Sequence, residues 1–224
     1  MSKKIFSIIV LLSLFVYPVQ VKAADANSLV PVAQVKSIEL PKPVMEGGKP
    51  LMQALKDRKS TREFSGEKLS LQTLSNMLWA ANGISRPDGK RTAPSARNKQ
   101  EIDIYVSMAD GLYLYDAGEN KLIGVLAEDI RAATGMQPFV KDAPVNFVFV
   151  ADYAKMGDMP KDQKDLYSAT DAGYVSENVY LFCASEGLAT VVRGSVDVAK
   201  CGAAMKLRSE QKIIFAQTVG RPKK

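Results

Sequence analysis

The apolar positions of this chain change period several times, and each change marks an element. Residues 5–17 are an uncharged, apolar-dominated run of 13. Residues 24–49 are rich in Pro, Val and Gly without a helical period, which predicts an extended lead-in. Pro50 is a first-turn proline, and Leu51 and Leu55 carry a helix to Arg58. A second helix is capped by Ser70, repeats Leu71, Leu74, Leu78 and Ala81 at 3-4-3 spacing, and ends at Asn82-Gly83. Residues 101–108 alternate polar and apolar, a half-buried strand; Ala109-Asp110-Gly111 turns, and 112–116 return as an antiparallel partner.

Residues 124–134 fit a short helix stopped by Gly135. Residues 144–151 are nearly all apolar, as in a central strand buried on both faces. Residues 162–186 read as one long helix ended by Gly187, and its small Ala169, Ala172, Gly173, Ser176 and Ala184 call for close packing. A strand over 188–192, a helix from the cap Asp197 through 207, and a strand over 212–219 complete the chain. No repeat or low-complexity segment interrupts the order. Hairpin strands together with strands separated by helices make the class α+β, with a mixed sheet.

Composition narrows the chemistry. The 224 residues contain no His, which excludes a Ser-His-Asp triad and every His-ligated metal site. Two Cys, Cys183 and Cys201, cannot make a Cys₄ zinc site or hold an iron–sulfur cluster alone, so no metal site is expected. Lys3 and Lys4 precede the apolar run, and Val21-Lys22-Ala23 is a small-x-small exit. That order predicts a secretory signal peptide over residues 1–23. A run of 13 is short of the roughly 20 residues a spanning helix needs, and a buried N-terminal helix is the alternative.

Removing 1–23 deletes three lysines and no acid, so the formal charge falls from +6 to 6 − 3 = +3. No Lys/Arg block tracks a nucleic-acid backbone. No Cys at the cleavage site invites a lipid anchor, and no twin Arg precedes the apolar run. The expectation is an exported, periplasmic protein: signal peptide 1–23, lead-in 24–49, and one domain over 50–224. Export permits a disulfide, but the local sequences favour two buried thiols.

Three stretches carry candidate chemistry. Arg58-Lys59-Ser60-Thr61-Arg62-Glu63-Phe64 places two guanidiniums at i and i+4 on one face of a helix end, with a hydroxyl between them. That set suits a phosphate, or simply a solvated basic helix end. The loop 91–100 carries several side chains able to hydrogen-bond a flat polar ring, or is an ordinary polar connection. The stretch 187–197 leaves a helix, runs as a strand and turns through Gly194 toward the next helix, where backbone N–H groups can face developing negative charge.

In order and spacing the three resemble the nitroreductase family of flavin enzymes. Arg58-Lys59-Ser60-Thr61-Arg62-Glu63-Phe64 is similar to its opening R-R-S-x-R-x-F segment, and Pro94-Ser95-Ala96-Arg97-Asn98-Lys99-Gln100 to P-S-x-x-N-x-Q. The stretch from Leu74 through Gly83 and Arg86-Pro87-Asp88-Gly89 to Ala96 resembles the branch containing the azoline-peptide dehydrogenases. The Lys-Tyr pair of those dehydrogenases has no counterpart, Ala189 replaces a frequent Gly, and Arg97 replaces a small residue.

The resemblance implies an interlocked homodimer with FMN at its interface. It places Arg58, Ser60 and Arg62, with Lys59 a lesser contact, at the phosphate and ribityl end. Pro94, Ser95, Ala96 and Asn98 contact the flavin from the other subunit, the backbone of Arg193 and Gly194 lies near N5 and O4, and Arg221 adds a late phosphate contact. No side chain is singled out as catalytic. The implied activity is ping-pong hydride or electron transfer to or from a small flat substrate. NAD(P)H is the family's donor. Export and the lack of a G-x-G-x-x-G unit instead favour a small reduced donor or a redox partner protein. The alternative is a periplasmic binding or interaction protein that keeps the fold without flavin chemistry.

Overall fold

The computed structural model describes residues 35–223; the signal-peptide expectation over 1–23 and the start of the lead-in lie outside the described residues. Among the described residues, seven strands form one sheet: β1 (Ile38–Glu39), β2 (Ile102–Met108), β3 (Gly111–Asp116), β4 (Lys121–Leu126), β5 (Val145–Asp152), β6 (Ala189–Arg193) and β7 (Gln211–Gly220). Their order is β1-β4-β3-β2-β5-β7-β6. All six pairings are antiparallel, so the mixture of this α+β fold lies in its connections, hairpins beside helical crossovers.

Four α-helices among the described residues flank the sheet: α1 (Leu51–Asp57), α2 (Leu71–Asn82), α3 (Lys161–Glu186) and α4 (Val198–Met205). Their ends have the expected chemistry. The Ser70 hydroxyl accepts the Thr73 N–H at 3.1 Å, and the Asp197 carboxylate accepts that of Lys200 at 3.1 Å. Gly187 stops α3 at φ 69°, a conformation that favours glycine.

Alternation along β5 divides the core. Val145, Phe147, Phe149 and Ala151 face α2 and α3, with Leu74, Leu78 and Val175; Val148 and Val150 face a smaller core with Cys201 and Met205 of α4. The neighbouring β2 is not half-buried as its alternation predicts. Its Tyr105 and Ser107, read as the solvent side, are covered too, Tyr105 by Leu112, Leu126 and Ile130.

Another expectation fails. Residues 124–134 are not a helix: 121–126 form β4, and only Arg131–Thr134 make a 3₁₀ turn. The Asp116 carboxylate accepts the Gly118 and Glu119 N–H groups and Asn120 turns at φ 47°, closing a hairpin that pairs β4 with β3. Gly124 is needed there for close approach, since a Cβ would lie 2.0 Å from the Val35 carbonyl oxygen. The described part of the lead-in, expected to be extended, carries a short strand. Ile38 and Glu39 pair with β4, and Leu40 enters the main core. The two thiols are both free and buried, Cys183 in the α3-side core and Cys201 in the α4-side core.

Candidate active site

The basic segment 58–62 is not the last turn of a helix. α1 ends at Asp57, and Arg58 already has extended backbone (φ −56°, ψ 120°), so Arg58 and Arg62 do not share a helical face. The segment instead docks on β6, the outer strand of the sheet. Thr61 N–H donates to the Thr190 carbonyl at 2.9 Å. Tyr180 of α3 joins the two: its hydroxyl accepts the Val192 N–H at 2.9 Å and lies 2.8 Å from the Ser60 hydroxyl. The Arg58 guanidinium stands over the Tyr180 ring, 5.3 Å from its centroid. Two of the three stretches are thereby brought together.

Among the described residues, Arg58, Lys59 and Arg62 have no carboxylate partner. Arg221 differs. Its carbonyl accepts the Ser65 N–H at 2.9 Å, which brings it beside the segment, but its guanidinium pairs with Glu67 at 2.9 Å. A cleft of about 670 Å³ opens beside Thr61, Tyr180 and Thr190, with Lys49, Lys59 and Lys223 on its walls. Arg62 faces a different cleft, about 550 Å³, with Phe64 and Phe139.

Four residues past Thr190 the strand ends in an open turn. Gly194 and Ser195 are exposed, and their N–H groups donate to nothing among the described residues. A Cβ built on Gly194 would meet no atom within 4 Å. The Arg193 side chain points away from this opening into the protein. It is 3% exposed and donates to Thr218 Oγ1 (2.9 Å), the Thr134 carbonyl (2.8 Å) and Asn146 Oδ1 (3.2 Å), so only the backbone of Arg193 is left to face a ligand. Burial pushes the guanidinium down to about 10. Gly135 makes room for it, since a Cβ there would sit 1.7 Å from Nη1. Met136 N–H, next along, donates to the Ser195 carbonyl at 3.1 Å.

The third stretch lies apart. Residues 94–98 cross the other half of α3, where Asp171 Oδ2 accepts the Ala96 N–H at 2.8 Å. Asp171 and Tyr180 are nine residues apart, about 13 Å of helix. One chain therefore keeps Pro94, Ser95, Ala96 and Asn98 away from the 58–62 segment. Their loop is tightly wound: Arg97, Asn98 and Gln100 all have φ near 50°. Gln100 ties it, donating its N–H to Ser95 Oγ and accepting from Arg91 Nε at 2.9 Å.

Tyr180 and Asp171 were not among the residues singled out from the sequence. The signal was there, because Ser168, Asp171, Val175, Ser176, Val179, Tyr180 and Cys183 fall on one buried stripe of α3. Polar groups on such a stripe require partners.

The arrangement fits a phosphorylated flavin. Cations without acids and a hydroxyl sit at one end of the β6 edge, and unpaired backbone donors beside open space at the other. A sequence model of the nitroreductase family matches residues 55–221. A nitroreductase-type protein of Ralstonia eutropha of known crystal structure is 43% identical, with a TM-score of 0.81 over 85% of this chain and 91% of that one. A nitroreductase-type protein of Methanocaldococcus jannaschii is 32% identical over 148 residues, 62% of this chain and 75% of the relative. One from Desulfovibrio desulfuricans, solved in complex with FMN, shares the fold at 23% identity, with a TM-score of 0.58 over 80% of this chain and 89% of that one.

Proposed function

The chain belongs to the nitroreductase family, whose members are FMN-dependent oxidoreductases, and we propose that it works as an exported homodimer passing hydride to or from a small flat substrate by a ping-pong route. The observation that carries this reading is the docking of 58–62 on β6 through Tyr180, beside the open turn at Gly194. Bound FMN would supply hydride chemistry that no side chain of this chain offers. Arg58 and Arg62 would hold its phosphate, with Ser60 offering a short hydroxyl. The Gly194 and Ser195 N–H groups would stabilise negative charge on it. The open space beside Gly194 would admit one substrate at a time, the order a ping-pong route needs.

Two features favour a dimer. α3 exposes Leu166, Ala169, Gly173 and Tyr174 on one face, and α1 exposes Leu51, Met52 and Leu55. The separation of 94–98 from 58–62 is bridged if a two-fold partner brings its own loop to this chain's cations. Export stands on the sequence of residues 1–23, and with it a donor other than NAD(P)H.

Titration of the purified protein with FMN, followed by absorbance, tests the reading. FMN uptake by a dimer in light scattering is expected. Arg62→Ala should weaken uptake by roughly 10- to 100-fold, the loss of a charge-assisted contact of about 1.5–3 kcal/mol. Lys59→Ala should do less, because a single ammonium lacks the forked donors that a guanidinium offers a phosphate. A folded protein that takes up no FMN returns the reading to a flavin-free binding protein.

A further inference from the structure

Where the loop 94–98 meets the body of the protein, two carboxyls face one another. Glu101, just before β2, is fully buried, and among the described residues no well-aligned N–H or O–H is directed at either side-chain oxygen. The Asp171 carboxyl, 3% exposed, lies within hydrogen-bond reach. Its Oδ2 is the atom that takes the Ala96 N–H. The other groups bearing on Glu101 are the Ser168 hydroxyl of α3, which turns to the Met156 sulfur at 3.5 Å, and Tyr153 of the turn after β5, which donates to Asp165. Nearby Asp152 is paired with Arg208, and Lys164 turns to the Tyr153 carbonyl at 3.3 Å. None of the groups acting most strongly on Glu101 is a cation.

Two buried carboxylates in contact cannot both stay ionised, so one holds a proton. The Ala96 N–H is spent on Asp171 Oδ2, whereas neither Glu101 oxygen has a well-aligned donor among the described residues, so the shared proton belongs on Glu101. Burial is the main cause and the neighbouring Asp171 carboxyl a lesser one; they outweigh the opposing pull of Glu101's own N–H and of the Ser168 hydroxyl and push the carboxyl up to about 7. The loop needs such a hold, because its three residues in the left-handed region are each held against a cost of about 1 kcal/mol.

We propose that Glu101 is a positioning residue of the flavin loop: as the neutral acid it donates to Asp171, whose carboxylate holds the Ala96 N–H and fixes residues 94–98 for FMN. This rests on the FMN reading for what the loop meets. The hold itself is a property of the chain. Raising the pH above 7 removes the proton, sets two charges against each other and loosens the tether.

The test compares wild type with Glu101→Gln, whose amide donates to Asp171 at every pH. FMN dissociation constants are measured from pH 6.5 to 9, with folding checked by circular dichroism. Wild type should lose about tenfold or more in affinity across that range, and Glu101→Gln should start equal and stay flat. The FMN phosphate titrates alike in both, so it cancels in the ratio. Asp171→Asn, which lets Glu101 ionise against a neutral amide, should also be flat and replaces Glu101→Gln if that variant does not fold.

Amide hydrogen exchange at Ala96, measured without FMN, separates the two readings. Its protection should fall above pH 7 in wild type and not in the variants. That result without any FMN uptake would remove the flavin reading and leave the tether. Equal pH dependence in wild type and both variants, by either measurement, overturns the proposal.

Discussion

Arg193 and Glu101 are two ionisable side chains removed from water, one on each side of the sheet, with opposite fates. Arg193 meets three neutral acceptors and no carboxylate, and stays charged although burial lowers it to about 10. Glu101 has no well-aligned donor among the described residues and gives up its charge. Burial penalises both ions, so burial does not explain the difference. A guanidinium starts with a pKa far above neutrality and spreads its charge over a fork of donors, which carbonyl and hydroxyl oxygens can satisfy. A carboxylate starts only a few pH units below neutrality, and without donors the cheapest adjustment is a proton.

The comparison is most sharply tested at Arg193. Arg193→Met keeps much of the volume but leaves the Thr134 carbonyl without its donor and the Thr218 hydroxyl and Asn146 Oδ1 with only each other, at 2.6 Å. The expected cost is about 2–4 kcal/mol in urea unfolding. Arg193→Lys should recover little of it, because one ammonium cannot reach three separated acceptors. A methionine variant as stable as wild type would mean that the neutral acceptors contribute nothing and that the two buried sites differ only in intrinsic pKa.

A smaller effect is expected at Glu101, and its sign follows from the raised carboxyl. Unfolded, Glu101 titrates near 4.5; folded, near 7. Between those values the unfolded chain has lost the proton that the folded chain keeps. The contribution is therefore fully present below about pH 4.5, is lost as pH rises to 7, and is constant beyond. Roughly 3 kcal/mol is at stake. Glu101→Gln lacks this loss, so its melting temperature should gain on wild type between pH 5 and 7.5. The exposed carboxylates, such as Asp57 and Asp165 beside their lysines, are lowered rather than raised and cancel in that difference. A gain of the opposite sign would mean that Glu101 is ionised in the native protein.

These two sites also mark where the sequence could be read and where it could not. α2, α3 and β5 were legible because their packing is one-sided or complete in a way that period alone records: a stripe at 3-4-3 spacing, a long run with small residues, an unbroken apolar run. Caps at Ser70 and Asp197 and the stop at Gly187 are local chemistry, and local chemistry is written in neighbouring residues. β4 was misread because 121–126 is short and apolar enough for either element, and its pairing with β3 is decided by a partner strand. The face shared by Arg58 and Arg62 dissolved for a related reason, since Thr190 offers the Thr61 N–H a better place than another helical turn. The contacts of Tyr180 with Ser60 and of Asp171 with Ala96 join residues 120 and 75 positions apart, and no spacing rule reaches that far.

The smallest effect is expected at the cysteines, a second pair of buried ionisable groups. Cys183 lies under α3 with the Met77 sulfur at 4.0 Å, and Cys201 lies under α4 with the Met205 sulfur at 3.6 Å. The sheet runs between them, and layers packed on a sheet stand about 10 Å away on each side. A disulfide needs Cα atoms within about 7 Å, so an oxidising compartment does not make this one. Burial raises both thiols, Cys201 to about 11 even though Arg193 pulls it down. A buried cation nearby is thus not enough to ionise a group that lacks direct donors, the rule drawn from Glu101. Reductant should accordingly shift the melting temperature by less than about 1 °C. Thiol reagents at neutral pH should modify the native protein no faster than it opens. Rapid modification of Cys201 in wild type that disappears in Arg193→Met would show that the guanidinium does ionise the thiol, and charge rather than hydrogen-bond supply would then decide the state of buried groups on the α4 side.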